Sequence, residues 1–192
     1  MKMTGAQTQM LKGIITNPDH PEFQGIFKQG SFWIATDRMS IFYLKKKPNL
    51  PICQGCDQNL VDLLDTPLSA REIKLPSIDF MVGVQNKASC ERKHILPYEL
   101  DAKAKLFINP KFMVKMMKVL PDVTTAIYTT PKKPIVFYGF GDDGNYALLN
   151  PIRYDGNSPY INHEGELINP NLGEEIIKEE DECNSIKTVM SM

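Results

Sequence analysis

Four residues in the middle of the chain have the types and spacing of a metal site. Cys53-Gln54-Gly55-Cys56 is a C-x-x-C, and Cys90-Glu91-Arg92-Lys93-His94 is a C-x-x-x-H. Three thiolates and an imidazole make a tetrahedral zinc set, and zinc would stabilise a segment too small to build its own core. Against this, Cys53 follows Pro51-Ile52 rather than sitting in a Gly-rich knuckle. Ordinary reduced cysteines are therefore the favoured reading. A redox role for the C-x-x-C is disfavoured further, because no strand-to-helix start surrounds it. His20, His94 and His163 are the only histidines, and none lies in a nucleophile motif. Asp142 and Asp143 could bind a metal, but Asp142-Asp143-Gly144-Asn145 between two apolar runs is the composition of a hairpin turn. Gly139, Gly141 and Gly144 lie in a strand and its turn with no helix after them, unlike a phosphate loop. The sequence thus gives little support to catalysis and calls for no cofactor.

The remaining chemistry is that of lysine. Lys111, Lys115 and Lys118 recur at i, i+4 and i+7 in a segment that opens with Asn109-Pro110 and stops at Pro121. Asn109 is a good N-cap, and Pro110 suits the first helical position, where its missing N–H costs nothing. Phe112, Met113, Met116, Met117, Val119 and Leu120 follow at helical spacing. The helix is amphipathic, with an apolar side for a sheet and a basic stripe opposite. Such a stripe is also what a solvated helix face looks like. Three strand-like runs follow, over residues 124–129, 134–140 and 145–153.

The same plan stands at the N-terminus. Residues 4–16 read as a helix with Thr4 as cap, Ala6, Met10, Leu11, Ile14 and Ile15 on its apolar side, and Lys12 in the place of Lys118. Strand-like runs follow at 25–28, 31–36 and 40–45, the first two closed by Gln29-Gly30. Both faces of these strands are apolar, as in a sheet covered on both sides. Helix-then-antiparallel-strands therefore occurs twice, which implies an internal two-fold repeat. The fold class is α+β.

At 192 residues the chain suits one domain, and a core of ~150 residues would bury ~70% of its unfolded surface. A hydrophobic fraction of 42% is that of a globular protein, and a net charge of −1 supplies no global field for nucleic acid. No apolar run approaches the ~20 residues that span a bilayer, and no signal-peptide segment opens the chain. A cytoplasmic protein without a membrane partner is expected. Residues 1–153 read as the folded unit and 46–102 as an insertion between its repeats, with a short helix near 57–64 and an ambiguous run at 77–84. Residues 154–192 read as a polar tail, acidic from Glu174 to Glu182.

A family resemblance completes the reading. Trp33-Ile34-Ala35-Thr36-Asp37-Arg38-Met39-Ser40 resembles the Ala-Thr-Asp-Gly-His-Arg-Leu turn of bacterial DNA polymerase III beta subunits, the sliding clamps. The segment from Leu106 to Leu120 is similar to the clamp strand that leads into a short basic-faced helix ending in Leu-Pro. Ala147-Leu148-Leu149-Asn150-Pro151-Ile152-Arg153 resembles the Met-Pro-Met/Val-Arg ending of the final clamp domain. The resemblance covers residues 1–45 and 103–153, and it rests on the shared order of motifs. The chain departs from the pattern by passing from Asp37 straight to Arg38-Met39, without Gly-His, and by reading as one domain where the bacterial clamp has three.

The resemblance implies a DNA polymerase processivity factor that does no chemistry. It would close around duplex DNA and tether replication proteins. Lys12, Lys111, Lys115 and Lys118 would meet phosphates without reading bases. A partner pocket for apolar peptides of polymerases or clamp loaders would fall on Thr36, Asp37, Arg38, Met39, Ile41, Pro151, Ile152 and Arg153. A head-to-tail homo-oligomer could rebuild the inter-domain pocket at each junction. The alternative is a clamp-fold interaction module that binds clamp partners without encircling DNA. Met39, Ile41 and Ile152 could equally be ordinary core.

Overall fold

The structure is a computed structural model and describes residues 3–16, 24–53, 70–90, 96–138 and 144–172. The first repeat is α1 (Gly5–Ile15), β1 (Phe27–Gln29), β2 (Phe32–Thr36) and β3 (Ser40–Leu44). The chain then adds β4 (Arg71–Lys74), α2 (Ile78–Cys90) and β5 (Tyr98–Asp101). The second repeat is β6 (Leu106–Ile108), α3 (Pro110–Val119), β7 (Thr125–Tyr128), β8 (Ile135–Tyr138) and β9 (Tyr146–Leu149), and β10 (Tyr160–Ile161) and β11 (Leu167–Ile168) follow.

One sheet runs β1-β2-β3-β9-β8-β7-β4, and the other β11-β10-β5-β6. The order of the first shows the internal repeat directly. β3 and β9 pair antiparallel at the centre, with Phe42 opposite Ala147 and Tyr43 opposite Tyr146. Outward from that seam, β2 and β1 on one side correspond to β8 and β7 on the other. α1 and α3 pack against each other, and the Gln7 side-chain Nε2 donates to the Val119 carbonyl at 3.0 Å.

Local chemistry fixes both helices. Thr4 and Gln7 form a reciprocal capping box at the start of α1. Asn109 accepts from the Lys111 N–H, with Pro110 in the first turn of α3. The period-2 alternation of the strands then sorts the side chains. Ala35, Phe42, Leu44, Phe137 and Ala147 join Leu11, Ile14, Met113 and Met116 in the core beneath the helices. Ile34, Ile41, Tyr43, Tyr146 and Leu148 form a second buried cluster on the other face. Ile41 is therefore core, at 6% exposure.

Residues 46–102 contribute structure to the same body. β4 pairs with β7 at the edge of the large sheet. α2 packs on α3 through Met81, Val84 and Ala88, which belong to the main core. The ambiguous run is thus helical, and Gly83 is accommodated on the exposed side of α2. The short helix expected near 57–64 lies outside the described residues. The stretch after Arg153 is folded as far as Leu172, because Ile161 pairs with Tyr98 of β5 and is fully buried. Residues 173–192, with the acidic run, lie outside the described residues. Among the described residues no helix is long and apolar enough to cross a membrane.

Candidate functional site

The turn between β2 and β3 is built around Asp37. Its carboxylate is buried, and Oδ1 accepts from the Met39 N–H at 3.1 Å, the Ser40 N–H at 2.8 Å and the Ser40 hydroxyl at 2.8 Å. The Thr36 hydroxyl donates to the Ser40 carbonyl at 2.8 Å and accepts from the Arg38 N–H at 3.0 Å. Arg38 takes φ 69°, the left-handed conformation a turn of this tightness needs. Thr36 and Asp37 are thus the frame, whereas Arg38 and Met39 are presented outwards, Met39 with 37% of its surface exposed.

The segment leaving β9 docks on that turn through a residue that sequence reasoning missed. The Asn150 side-chain nitrogen donates to the Arg38 carbonyl at 2.9 Å, and the Asn150 N–H donates to the Met39 carbonyl at 2.9 Å. The only signal in the sequence was an asparagine placed just before a proline at a strand end. Two residues on, the Ile152 N–H donates to the Phe107 carbonyl at 2.8 Å, so this segment ties the large sheet to β6 of the small one. Phe107 is in turn stacked on Tyr154 at 4.2 Å between ring centroids. Pro151 and Ile152 are half-buried and Arg153 is exposed. The structure therefore brings the turn and Asn150-Pro151 together, with Met39 at their surface, and withdraws Ile41 into the core.

The four lysines lie on the helix layer. Lys12 is exposed on α1, and Lys111 and Lys118 on α3. Lys115 is half-buried, its ammonium 5.3 Å from the Phe112 ring centroid. The buried faces of α1 and α3 are turned to the sheet, so the cations belong to the solvent side of the pair.

The loop from β5 to β6 carries its own polar network. Burial raises the Asp101 carboxyl, but hydrogen bonds from Tyr128 and from the Ala104 and Lys103 amides outweigh it and leave the group below the usual carboxylate range. The Tyr128 hydroxyl donates to Asp101 at 2.7 Å. Burial, with the Glu99 charge adding to it, pushes Tyr98 up to about 12. Burial also pushes Tyr154 up to about 12, helped by Tyr160, Asp155 and Glu99.

Of the four residues of the zinc set, Cys53 alone is described with its surroundings. Cys53 takes part in a disulfide, and a disulfide sulfur is not the thiolate a zinc site requires. The reading of Cys53 as a reduced cysteine is corrected with it. Its backbone is held firmly: the Cys53 N–H donates to the Ile26 carbonyl at 2.8 Å, and a Cβ on Gly25 would fall 2.5 Å from the Cys53 nitrogen. Cys56 and His94 lie outside the described residues, and Cys90 is described only as the end of α2. Among the described residues no group of three or more His, Cys, Asp or Glu is placed to hold a metal.

Two helix-plus-antiparallel-strand units joined at a central β3/β9 seam, with both helices on one face, define a DNA-clamp-like α+β fold. Solved structures give the same class. The DNA polymerase sliding clamp of Bacillus subtilis matches with a TM-score of 0.52 and 11% identity, over 78% of this chain and 62% of that one. The Helicobacter pylori beta clamp in complex with diflunisal matches with a TM-score of 0.52 and 13% identity, over 80% and 66%. The polymerase beta subunit of Streptococcus pyogenes matches with a TM-score of 0.50 and 11% identity, over 80% and 68%. This chain has the fold of the bacterial DNA polymerase III beta sliding clamps, and it spans less than two thirds of the length of the first two. No family model matches the chain, and no curated protein matches it in sequence. The sequence resemblance rested on about half of the residues, whereas the structural likeness covers 78–80%. Part of 46–102, or of the stretch after Arg153, therefore lies within the shared fold.

Proposed function

We propose that this protein is a sliding-clamp-like processivity factor, a non-catalytic cytoplasmic accessory subunit of a DNA polymerase. It binds duplex DNA without sequence preference through Lys12, Lys111, Lys115 and Lys118, and it tethers polymerase or clamp-loader peptides at Met39, Arg38, Pro151, Ile152 and Arg153. The observation that carries this reading is the pairing of two helices of matching position, each with lysine on its solvent side, over one face of a clamp-like sheet. Phosphate contacts from side chains on a helix layer give affinity and register but no base readout, which is what sliding requires. A peptide pocket beside the turn is supported by the Asn150 hydrogen bonds, which hold the segment leaving β9 against the turn at Arg38 and Met39.

The test is duplex affinity as a function of salt. Four phosphate contacts give a log-affinity against log-salt slope of about −4, unchanged between duplexes of unrelated sequence. A slope near zero, or no binding at low salt, overturns DNA association and leaves a clamp-fold module that engages clamp partners alone.

A further inference from the structure

We propose that Trp33, flanked by Lys28 and Lys47, is a stacking platform for an unpaired base of single-stranded nucleic acid at the rim of the helix-bearing face. Trp33 is the only tryptophan in the chain. Its Cα partners across the sheet are Lys28 of β1 and Leu44 of β3, so the three side chains rise on one face. Leu44 lies in the core under the helices, which makes that face the helix side. Trp33 packs against this core yet stays partly exposed, and Lys28, on the edge strand, is exposed. The Lys47 ammonium lies 5.2 Å from the indole centroid. By contrast, Lys45 lies over Phe32, 4.2 Å from its centroid, and Phe32 packs on the opposite face. The lysine run after β3 therefore straddles β2, with Lys47 serving Trp33. α1, which carries Lys12, packs beside the same strand.

A large flat ring that stays partly exposed beside the core, bracketed by two cations, offers the two things single-strand binding uses. One is a π-face that accepts any base, and the other is positive charge for the backbone. Lys47 is no obstacle. An exposed cation–π contact is worth a factor of about two to five, whereas stacking a base on an aromatic side chain is worth about five- to 150-fold. A base that takes the place of the ammonium releases Lys47 to a phosphate. The proposal rests on the reading of the helix layer as the duplex track only for its location: the platform would take the strand where a duplex ends.

The full chain would be titrated with oligo(dT) and with a blunt duplex, reading Trp33 fluorescence and the anisotropy of a labelled oligonucleotide. Oligo(dT) is expected to quench the tryptophan. Trp33→Ala is expected to weaken oligo(dT) at least about fivefold while leaving duplex affinity within about twofold, and Lys118→Ala to do the reverse. Trp33→Phe keeps a ring in the core and should give intermediate affinity for oligo(dT), which covers an alanine variant that does not fold. Oligo(dT) binding without quenching, or equal oligo(dT) affinity in the folded Trp33→Phe and wild-type chains, overturns the platform. Quenching by oligo(dT) with no duplex binding keeps the platform and removes the clamp reading. Duplex binding with no response to oligo(dT) does the opposite.

Discussion

Asp37 and Met39 stand two residues apart and serve opposite ends. Asp37 is an internal acceptor for three donors of its own turn, so Asp37→Ala strands two amides and a hydroxyl. A loss of about 2–3 kcal/mol is expected from unpaired buried groups, read as a lower midpoint in urea. Asp37→Asn keeps a carbonyl acceptor in place and should lose less than half of that. Ile152 tests the pocket itself. Its backbone N–H makes the contact to Phe107, a contact that survives any side chain, and the side chain is only half-buried. Ile152→Asp is expected to fold and to lose binding of an apolar clamp-partner peptide at least tenfold. An unfolded product would return Ile152 to the core. The turn was legible in the sequence because Asp, Ser and Thr at fixed offsets bond their own backbone. Asn150 was not, since its side chain and its N–H bond carbonyls of Arg38 and Met39, 112 and 111 positions away, and bonds of such range leave no local pattern.

At the scale of elements, capping and charge on α3 separate. Asn109→Ala removes the acceptor for the Lys111 N–H and should cost about 1 kcal/mol of stability. Lys118→Ala touches an exposed position and should stay within about 0.5 kcal/mol of wild type. It should nevertheless make the salt slope for duplex DNA shallower by about 0.9. If the Lys118 variant kept the wild-type slope, the lysine would be solvated surface and no more. The small sheet carries a pH prediction. Tyr98 and Tyr154 ionise at about 12 in the folded chain, above the ~10 of a free phenol. Each therefore contributes stability that is present below ~10 and is lost as pH rises towards 12. Phenolate absorbance should rise in step with loss of structure over that window, and Tyr154→Phe should narrow the loss. α1 and α3 were readable because they are periodic and capped, and β2, β3, β8 and β9 because they are apolar runs bounded by turn residues. β4, β5, β10 and β11 fall in the stretches read as an insertion and a tail, among turn-forming residues that leave no bounded apolar run. Pairing makes them strands, β4 with β7, β5 with β6, and β10 with β5 and β11, and that is tertiary information.

For the whole molecule, the question is how one seven-stranded sheet with helices on a single face could surround a duplex. Its pseudo-two-fold order spends both repeats on building one continuous sheet, leaving β1 and β4 as the edges. β1 is partly covered by the parallel bridge from Ile26 to Ile52, while β4 exposes Arg71, Glu72 and Lys74. Charged edge strands resist indiscriminate pairing, so any assembly through them must be specific. Joining unlike edges is a heterologous contact, which closes only if its rotation divides a full turn. With a net charge of −1 the chain has no global attraction for DNA, and on the proposed reading four lysines per copy would hold a duplex weakly unless several copies faced it together. Light scattering across protein concentrations, with and without circular duplex, is expected to give one discrete oligomer of fixed mass. That oligomer should persist on the circle and fall off when the circle is cut. A monomer at every concentration with DNA present would sink encirclement, because one helix pair spans only one side of a duplex.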